Sequence, residues 1–226
     1  MADIFHQLSI WAFPVLIAIT FHEAAHGYVA WRLGDDTAKR AGRVTFQPLK
    51  HVDLFGTIIL PAALLLMRAP FLFGWAKPVP VDFLNLRNPK RDMVWVAAAG
   101  PGVNLVLAIA SAALLHVTPL LPETVGIWLA QNLVNSVLIN LVLAIFNMLP
   151  LPPLDGGRVA VGLLPAPFAE ALARLERIGL FIVILVLFIV PWAGREIGLN
   201  IDILGWLVRG PVEFMFRNLM SLVGPV

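Results

Sequence analysis

The chain has 226 residues, of which 59% are hydrophobic and only 13% charged, and its mean hydropathy is +0.86. A soluble domain carries about 25% charged residues, so this composition excludes a soluble globular protein and makes lipid the solvent. The net charge of +2 and the pI of about 9.4 come from bases scattered between apolar runs, which gives nucleic acid no basic face, and the lack of Cys excludes disulfides, thiolate chemistry and Cys metal sites.

A bilayer span needs roughly 17–25 apolar residues. The first such stretch covers about 8–33. No base precedes it, and the apolar run continues past His22 and His26 without a small-residue cleavage site, so it reads as a retained helix and not a signal peptide. Residues 34–92 follow, holding nine of the sixteen Lys and Arg residues. Inside that segment, 54–74 is apolar but broken by Pro61, Arg68 and Pro70. Two short extended pieces, 43–46 and 75–81, flank it as a small β element. Pro78 and Pro80 demote the second to an edge strand or an extended peptide.

Residues 93–117 and 125–149 are apolar runs without a charge, and 178–194 is short but apolar throughout. Trp11, Trp31, Trp95, Trp128 and Trp192 mark the ends of these stretches, where indoles favour the headgroup level. Residues 201–220 carry Asp202, Arg209, Glu213 and Arg217, the last three on one stripe. That pattern predicts an interfacial amphipathic helix, kinked at Gly210 and Pro211. The pattern as a whole predicts an all-α polytopic membrane protein with four spans.

Basic residues face the cytoplasm. This places the N-terminus outside, 34–92 inside, the base-free 118–124 loop outside, and Arg158, Arg174 and Arg177 inside. The assignment requires 54–74 to be re-entrant or membrane-dipping. A full crossing there would put Lys77, Arg87, Lys90 and Arg91 outside.

The first span contains His22-Glu23-Ala24-Ala25-His26. Histidines at i and i+4 share a helix face about 6 Å apart, which suits two imidazoles on one tetrahedral zinc. Glu23 borders the same site and can take a proton from water there. A chance pentapeptide with satisfied histidines is the plain alternative, but three ionisable groups within an apolar stretch are expensive and need a reason. Zinc needs a third protein ligand. Asp155 is the only acid between Glu123 and Glu170, and lies between a Pro-rich stretch and two glycines. On composition alone it is a solvated turn residue. Parity of the spans, however, brings its end of the third span to the same face as the His pair. His51 and Asp53 are alternative ligands that read more readily as structural. His6 and His116 read as solvated or interfacial, and Asn132, Asn135 and Asn140 as helix–helix contacts.

These residues resemble the site-2 proteases, the intramembrane zinc metalloproteases, in their short bacterial PDZ-less branch. The resemblance rests on His22-Glu23-x-x-His26 and on Asn147-x-x-Pro150-x-Pro152-x-Leu154-Asp155-Gly156. It is supported by 42–53, by 74–81 and by Ala99-Gly100-Pro101-Gly102-Val103-Asn104, and it covers about 17–158. It implies a site-2 protease-like helical core, one zinc per chain on His22, His26 and Asp155, Glu23 as general base, and Asn147 as a group that holds substrate or stabilises the intermediate. Asn104 reads equally well as a polar helix–helix contact. The chain departs from the family pattern in having no PDZ or other regulatory domain, no span before the His helix, and the apolar insert 54–74.

The expected activity is hydrolysis of peptide bonds in or near transmembrane segments of membrane proteins, at the cytoplasmic face of a bacterial inner membrane. The expected partners are a substrate with a transmembrane helix and the lipid bilayer. Residues 1–226 read as one metalloprotease domain. Two rivals are an ion- or proton-coupled transporter, since buried His, Glu and Asp also make proton relays, and a non-cleaving relative that binds membrane proteins.

Overall fold

A computed structural model describes residues 2–67 and 74–224. Ten α-helices account for most of the described residues. Helix α1 (Ala2–Arg32) is followed by a short α2 (Thr37–Arg40). A π-helical turn (Leu54–Ile59) then leads into α3 (Leu60–Leu66). Helices α4 (Pro89–Leu114) and α5 (Glu123–Asn147) are joined by a 3₁₀ turn (Leu115–Leu120). Next come α6 (Asp155–Leu163), α7 (Ala166–Arg174), α8 (Gly179–Ile184), α9 (Val190–Glu196) and α10 (Gly210–Val223). Among the described residues, four helical stretches are long and apolar enough to cross a membrane: Phe5–Arg32, Pro89–Leu120, Glu123–Asn147 and Gly179–Glu196.

The helix ends follow local chemistry. Pro89 occupies the first turn of α4, where its missing N–H costs nothing, and Asp92 accepts from Asn88 N at 2.8 Å. Helix α5 stops at Asn147 because the chain ahead carries Pro150, Pro152 and Pro153. Three π-helical turns, Leu54–Ile59, Leu185–Ile189 and Gly205–Arg209, each end two residues before a proline: Pro61, Pro191 and Pro211. A proline lacks the N–H for the i→i−4 ladder and crowds that carbonyl. Widening the preceding turn removes the conflict without ending the helix. The kink expected at Gly210 and Pro211 is therefore a π-helical turn.

Helices α1, α4 and α5 form the centre of the molecule and α6 packs on α4. Small residues let them approach closely: Ala18, Ala97, Ala108 and Ala112 are all buried. The segment predicted as an amphipathic helix over 201–220 is helical, and its apolar face is spoken for. Val208, Val212 and Val223 join a core with Ala108, Ala112, Leu133, Val137 and Leu141 of α4 and α5. Its charged stripe stays exposed, with Arg217 and Glu213 3.9 Å apart.

The apolar insert leaves and returns to one place. Asp53 caps its first turn by accepting from Gly56 N, Trp75 N donates to Gly56 O at 3.1 Å, and Thr57 Oγ1 donates to Trp75 O at 2.8 Å. The two ends of the insert are thus hydrogen-bonded to each other. Part of it, 68–73, lies outside the described residues. The β element expected at 43–46 and 75–81 is corrected: no strand forms among the described residues. Pro78 and Pro80 lack ladder donors. The two pieces are tied instead by Arg43 Nη2 donating to Lys77 O (2.8 Å) and Lys77 N donating to His51 O (2.9 Å).

A buried carboxylate fixes the end of α1. Asp35, fully buried, accepts from Thr37 N and Oγ1, from Asp82 N at 2.8 Å and from Asn85 Nδ2 at 3.3 Å. Burial opposes its charge, but these donors outweigh burial and hold its pKa below the ordinary carboxylate value. Gly34 before it has φ +119, a backbone setting other residues rarely adopt.

Candidate metal centre

His22 and His26 lie one turn apart on α1, with Nε2 atoms 3.1 Å from each other. Asp155 is the first residue of α6, and its Oδ2 sits 3.2 Å from His22 Nε2 and 3.3 Å from His26 Nε2. Their side chains are 9%, 12% and 10% exposed, in that order. Among the described residues these three form the group able to hold a metal ion.

The delivery of Asp155 is a matter of glycines. After α5 the chain turns through 148–154 and reverses into α6. A Cβ on Gly156 would overlap the carbonyl of Met148, and one on Gly157 would overlap Pro152 N. Only glycine lets the first turn of α6 press onto the preceding turn, and that contact aims Asp155 at α1.

Second contacts fix the imidazoles. His26 Nδ1 lies 2.7 Å from Val96 O, which can only accept, so Nδ1 carries the proton. His22 Nδ1 lies 2.6 Å from Asn104 Oδ1. Asn104 Nδ2 donates to Ala18 O at 3.2 Å and to Asn140 Oδ1 at 2.7 Å, so its oxygen faces His22. Both Nε2 lone pairs therefore point into the gap shared with Asp155.

That gap fits a cation. Three electron-rich atoms within 3.1–3.3 Å repel one another unless a proton or metal sits among them. Asp155 Oδ2 is buried and has no partner besides the two nitrogens. Gly100 of α4 keeps the space open: a Cβ there would overlap His26 Nε2 and lie 2.7 Å from His22 Nε2. Two imidazoles and a carboxylate form a donor set of the zinc type.

The chain matches the profile of Peptidase family M50 over residues 123–190. It is 38% identical over 203 residues to the protein named "Putative zinc metalloprotease YwhC" of Bacillus subtilis, a match covering 83% of this chain and 85% of that one. The chain belongs to peptidase family M50. Two further relatives share the name "Putative zinc metalloprotease Rip2". The Mycolicibacterium smegmatis protein is 27% identical over 180 residues, covering 80% of this chain and 66% of its own length. The Mycobacterium tuberculosis protein is 30% identical over 176 residues, covering 78% and 65%. No solved structure gives a significant match.

In this M50 peptidase the other expected residues fall as follows. Glu23 is half-buried beside the pair, and its Oε2 accepts from Val79 N at 2.8 Å. Asn147 donates from its amide to Leu143 O of its own helix at 2.9 Å. His51 is buried, with Nε2 donating to Thr45 O at 2.9 Å, and Asp53 caps the insert. Asn135 reaches across to Ile10 O, whereas Asn132 bonds within α5 to Trp128 O. Gly100, Val96 and the Val79 amide are the contributors that sequence reasoning missed. The backbone groups carry no sequence signal, and Gly100 was visible only as part of a helix-packing motif.

Proposed function

We propose that this multi-pass membrane protein is an intramembrane zinc metalloendopeptidase of the HExxH type, cutting peptide bonds in or near transmembrane segments of membrane proteins. The observation that carries the reading is the convergence of His22, His26 and Asp155, which are far apart in sequence, on one buried gap in an M50 chain. In this reading residues 1–226 act as one metalloprotease domain. In this reading the protein sits in a cell membrane, a bacterial inner membrane, and the distribution of bases supports a site that faces the cytoplasm.

His22, His26 and Asp155 hold the zinc, which supplies Lewis-acid chemistry that acidifies water and polarises a carbonyl. Glu23 removes the proton of the attacking water and returns it to the leaving amine. The Val79 N–H orients that carboxylate. A substrate helix hides its amides in its own hydrogen bonds and must unwind before attack. Strand addition along 75–81 would have to displace existing bonds. The N–H groups of Trp75, Lys77 and Val79 are engaged by Gly56 O, His51 O and Glu23, and Pro78 and Pro80 have none. Asn147 Nδ2 gives one hydrogen to Leu143 O and keeps its second as a donor for an oxyanion.

The transporter reading is not favoured, because a closed three-ligand group exceeds what a proton relay needs. The test is cleavage of a co-expressed single-span membrane protein by Glu23→Gln. We expect stoichiometric zinc to be retained and cleavage to fall by about 10²–10⁴-fold. Wild-type cleavage by Glu23→Gln, or a purified protein with no zinc to lose on His22→Ala, would overturn the proposal.

A further inference from the structure

We propose that Asn104 is a positioning residue for the zinc ligand His22, and that Asn140, backed by Ser136 and Ser111, holds Asn104 in its working orientation. The inference rests on the zinc reading above and extends it into α4 and α5.

Asn104 is fully buried on α4, as is Asn140 on α5. In a lipid-facing bundle a pair of buried amides is expensive unless every polar atom is used. Here the atoms are used in one direction. Asn104 gives its two amide hydrogens to Ala18 O and Asn140 Oδ1. Asn140 spends its own amide on Ser136 O at 2.9 Å and Ser136 Oγ at 3.3 Å. Ser136 Oγ in turn pairs with Ser111 Oγ at 2.8 Å. If Asn104 were flipped, its NH₂ would face His22 Nδ1, while its oxygen would face the acceptors Ala18 O and Asn140 Oδ1. The network therefore forbids the flip, and Asn104 Oδ1 must accept from His22 Nδ1.

That acceptor sets the chemistry of the opposite ring nitrogen. With the proton on Nδ1, the Nε2 lone pair is free for metal, and the 2.6 Å bond fixes the plane of the ring. A polar contact that only glued α4 to α1 would need no particular amide orientation. The chain Ser111–Ser136–Asn140–Asn104–His22 instead runs through three helices and ends on a zinc ligand.

The experiment is zinc competition against a chelator, with the visible spectrum of the cobalt-substituted protein, on full-length protein in detergent. Asn104→Leu is expected to weaken zinc binding by about 10–100-fold and to change the cobalt spectrum. Asn104→Asp keeps the acceptor at Nδ1 but sets an oxygen against Ala18 O and Asn140 Oδ1, so both readouts should fall between Asn104→Leu and wild type. Asn140→Leu touches no ligand yet should weaken zinc binding several-fold, with Ser111→Ala smaller still. If Asn104→Leu does not fold, Asn104→Ser decides, since its short hydroxyl cannot reach Nδ1. Wild-type zinc affinity and an unchanged cobalt spectrum in a folded Asn104→Leu or Asn104→Ser would overturn the inference. Failure of the wild-type protein to bind zinc would instead overturn the reading on which it rests.

Discussion

Gly100→Ala separates metal binding from folding in one substitution. A Cβ at this position would overlap His26 Nε2 and stand 2.7 Å from His22 Nε2, where ordinary contact begins at 3.4 Å. The His22 ring or α4 must therefore yield by at least ~0.7 Å, well beyond the ~0.2 Å that a metal–ligand distance tolerates. Folding feels two opposed effects. Alanine favours a helix interior over glycine by about 1 kcal/mol, and overpacking a tight contact costs about 1–3 kcal/mol. The metal-free protein should thus lose no more than about 2 kcal/mol by that comparison, while a displacement of this size should lower zinc affinity and cleavage by about 100-fold or more. Chelator competition, cleavage of a single-span substrate and the Tm of the metal-free protein measure the three quantities. Gly102→Ala is the control on the same helix: nothing lies within 4 Å of its Cβ, so zinc binding and cleavage should stay at wild-type levels. A Gly100→Ala protein that binds zinc as tightly as wild type would refute the claim that this glycine keeps the metal space open.

The remaining predictions concern the acid at the site, the end of α1 and the insert. Asp155→Ala removes one of three ligands and should purify with substoichiometric zinc while keeping its helical circular dichroism. Asp35→Asn turns an acceptor into a donor facing Asp82 N or Thr37 N and should cost about 1–3 kcal/mol at neutral pH, read as a lower Tm. Because the folded pKa of Asp35 is lowered, its contribution is complete above the unfolded value of about 3.9 and is lost as pH falls below it. The wild-type protein should therefore lose Tm more steeply than Asp35→Asn in that acid range. The chain has no Cys, so single cysteines report sidedness directly. Lys50→Cys and Arg87→Cys should label from the same side of the membrane and Glu123→Cys from the other. Labelling of the first two from opposite sides would mean that the insert crosses.

Most of the helices were legible because apolar length is a strong signal in lipid. The first and third spans fall within a few residues of their expected positions, and Pro150 and Pro153 explain where α5 stops. The closeness of His22 and His26 was legible because ionisable groups inside an apolar run are costly and call for a partner, and Asp155 joins them as the parity of the spans required. The β element was not formed, because extended pieces flanking an insert need ladder donors and 75–81 spends or lacks them. The pairing of Arg43 with Lys77 O depends on two pieces 34 positions apart meeting, which no local pattern encodes. Asn104 shows the same limit from the other side. Its residue type announces a polar contact in a span, but only packing decides whether the contact is with a backbone carbonyl or a zinc ligand.

The two extended pieces that flank the insert are tied to the helix that carries His22 and His26. Phe46 stacks on Phe21 of α1 at 4.5 Å, one residue before His22, and Val79 donates to Glu23, one residue after it. The two extended pieces are joined to each other by Arg43 to Lys77 O and by Lys77 N to His51 O. His51 closes the first piece by donating to Thr45 O. Glu23 is thus oriented by a segment outside the helix bundle, while His22 and His26 are oriented by α4 from within it. Helix packing holds the ligands rigidly, but the base is held through an irregular segment with few ladder bonds, the class of structure that opens most easily. An unwound substrate that displaces Val79 from Glu23 would therefore free the carboxylate without disturbing His22 or His26.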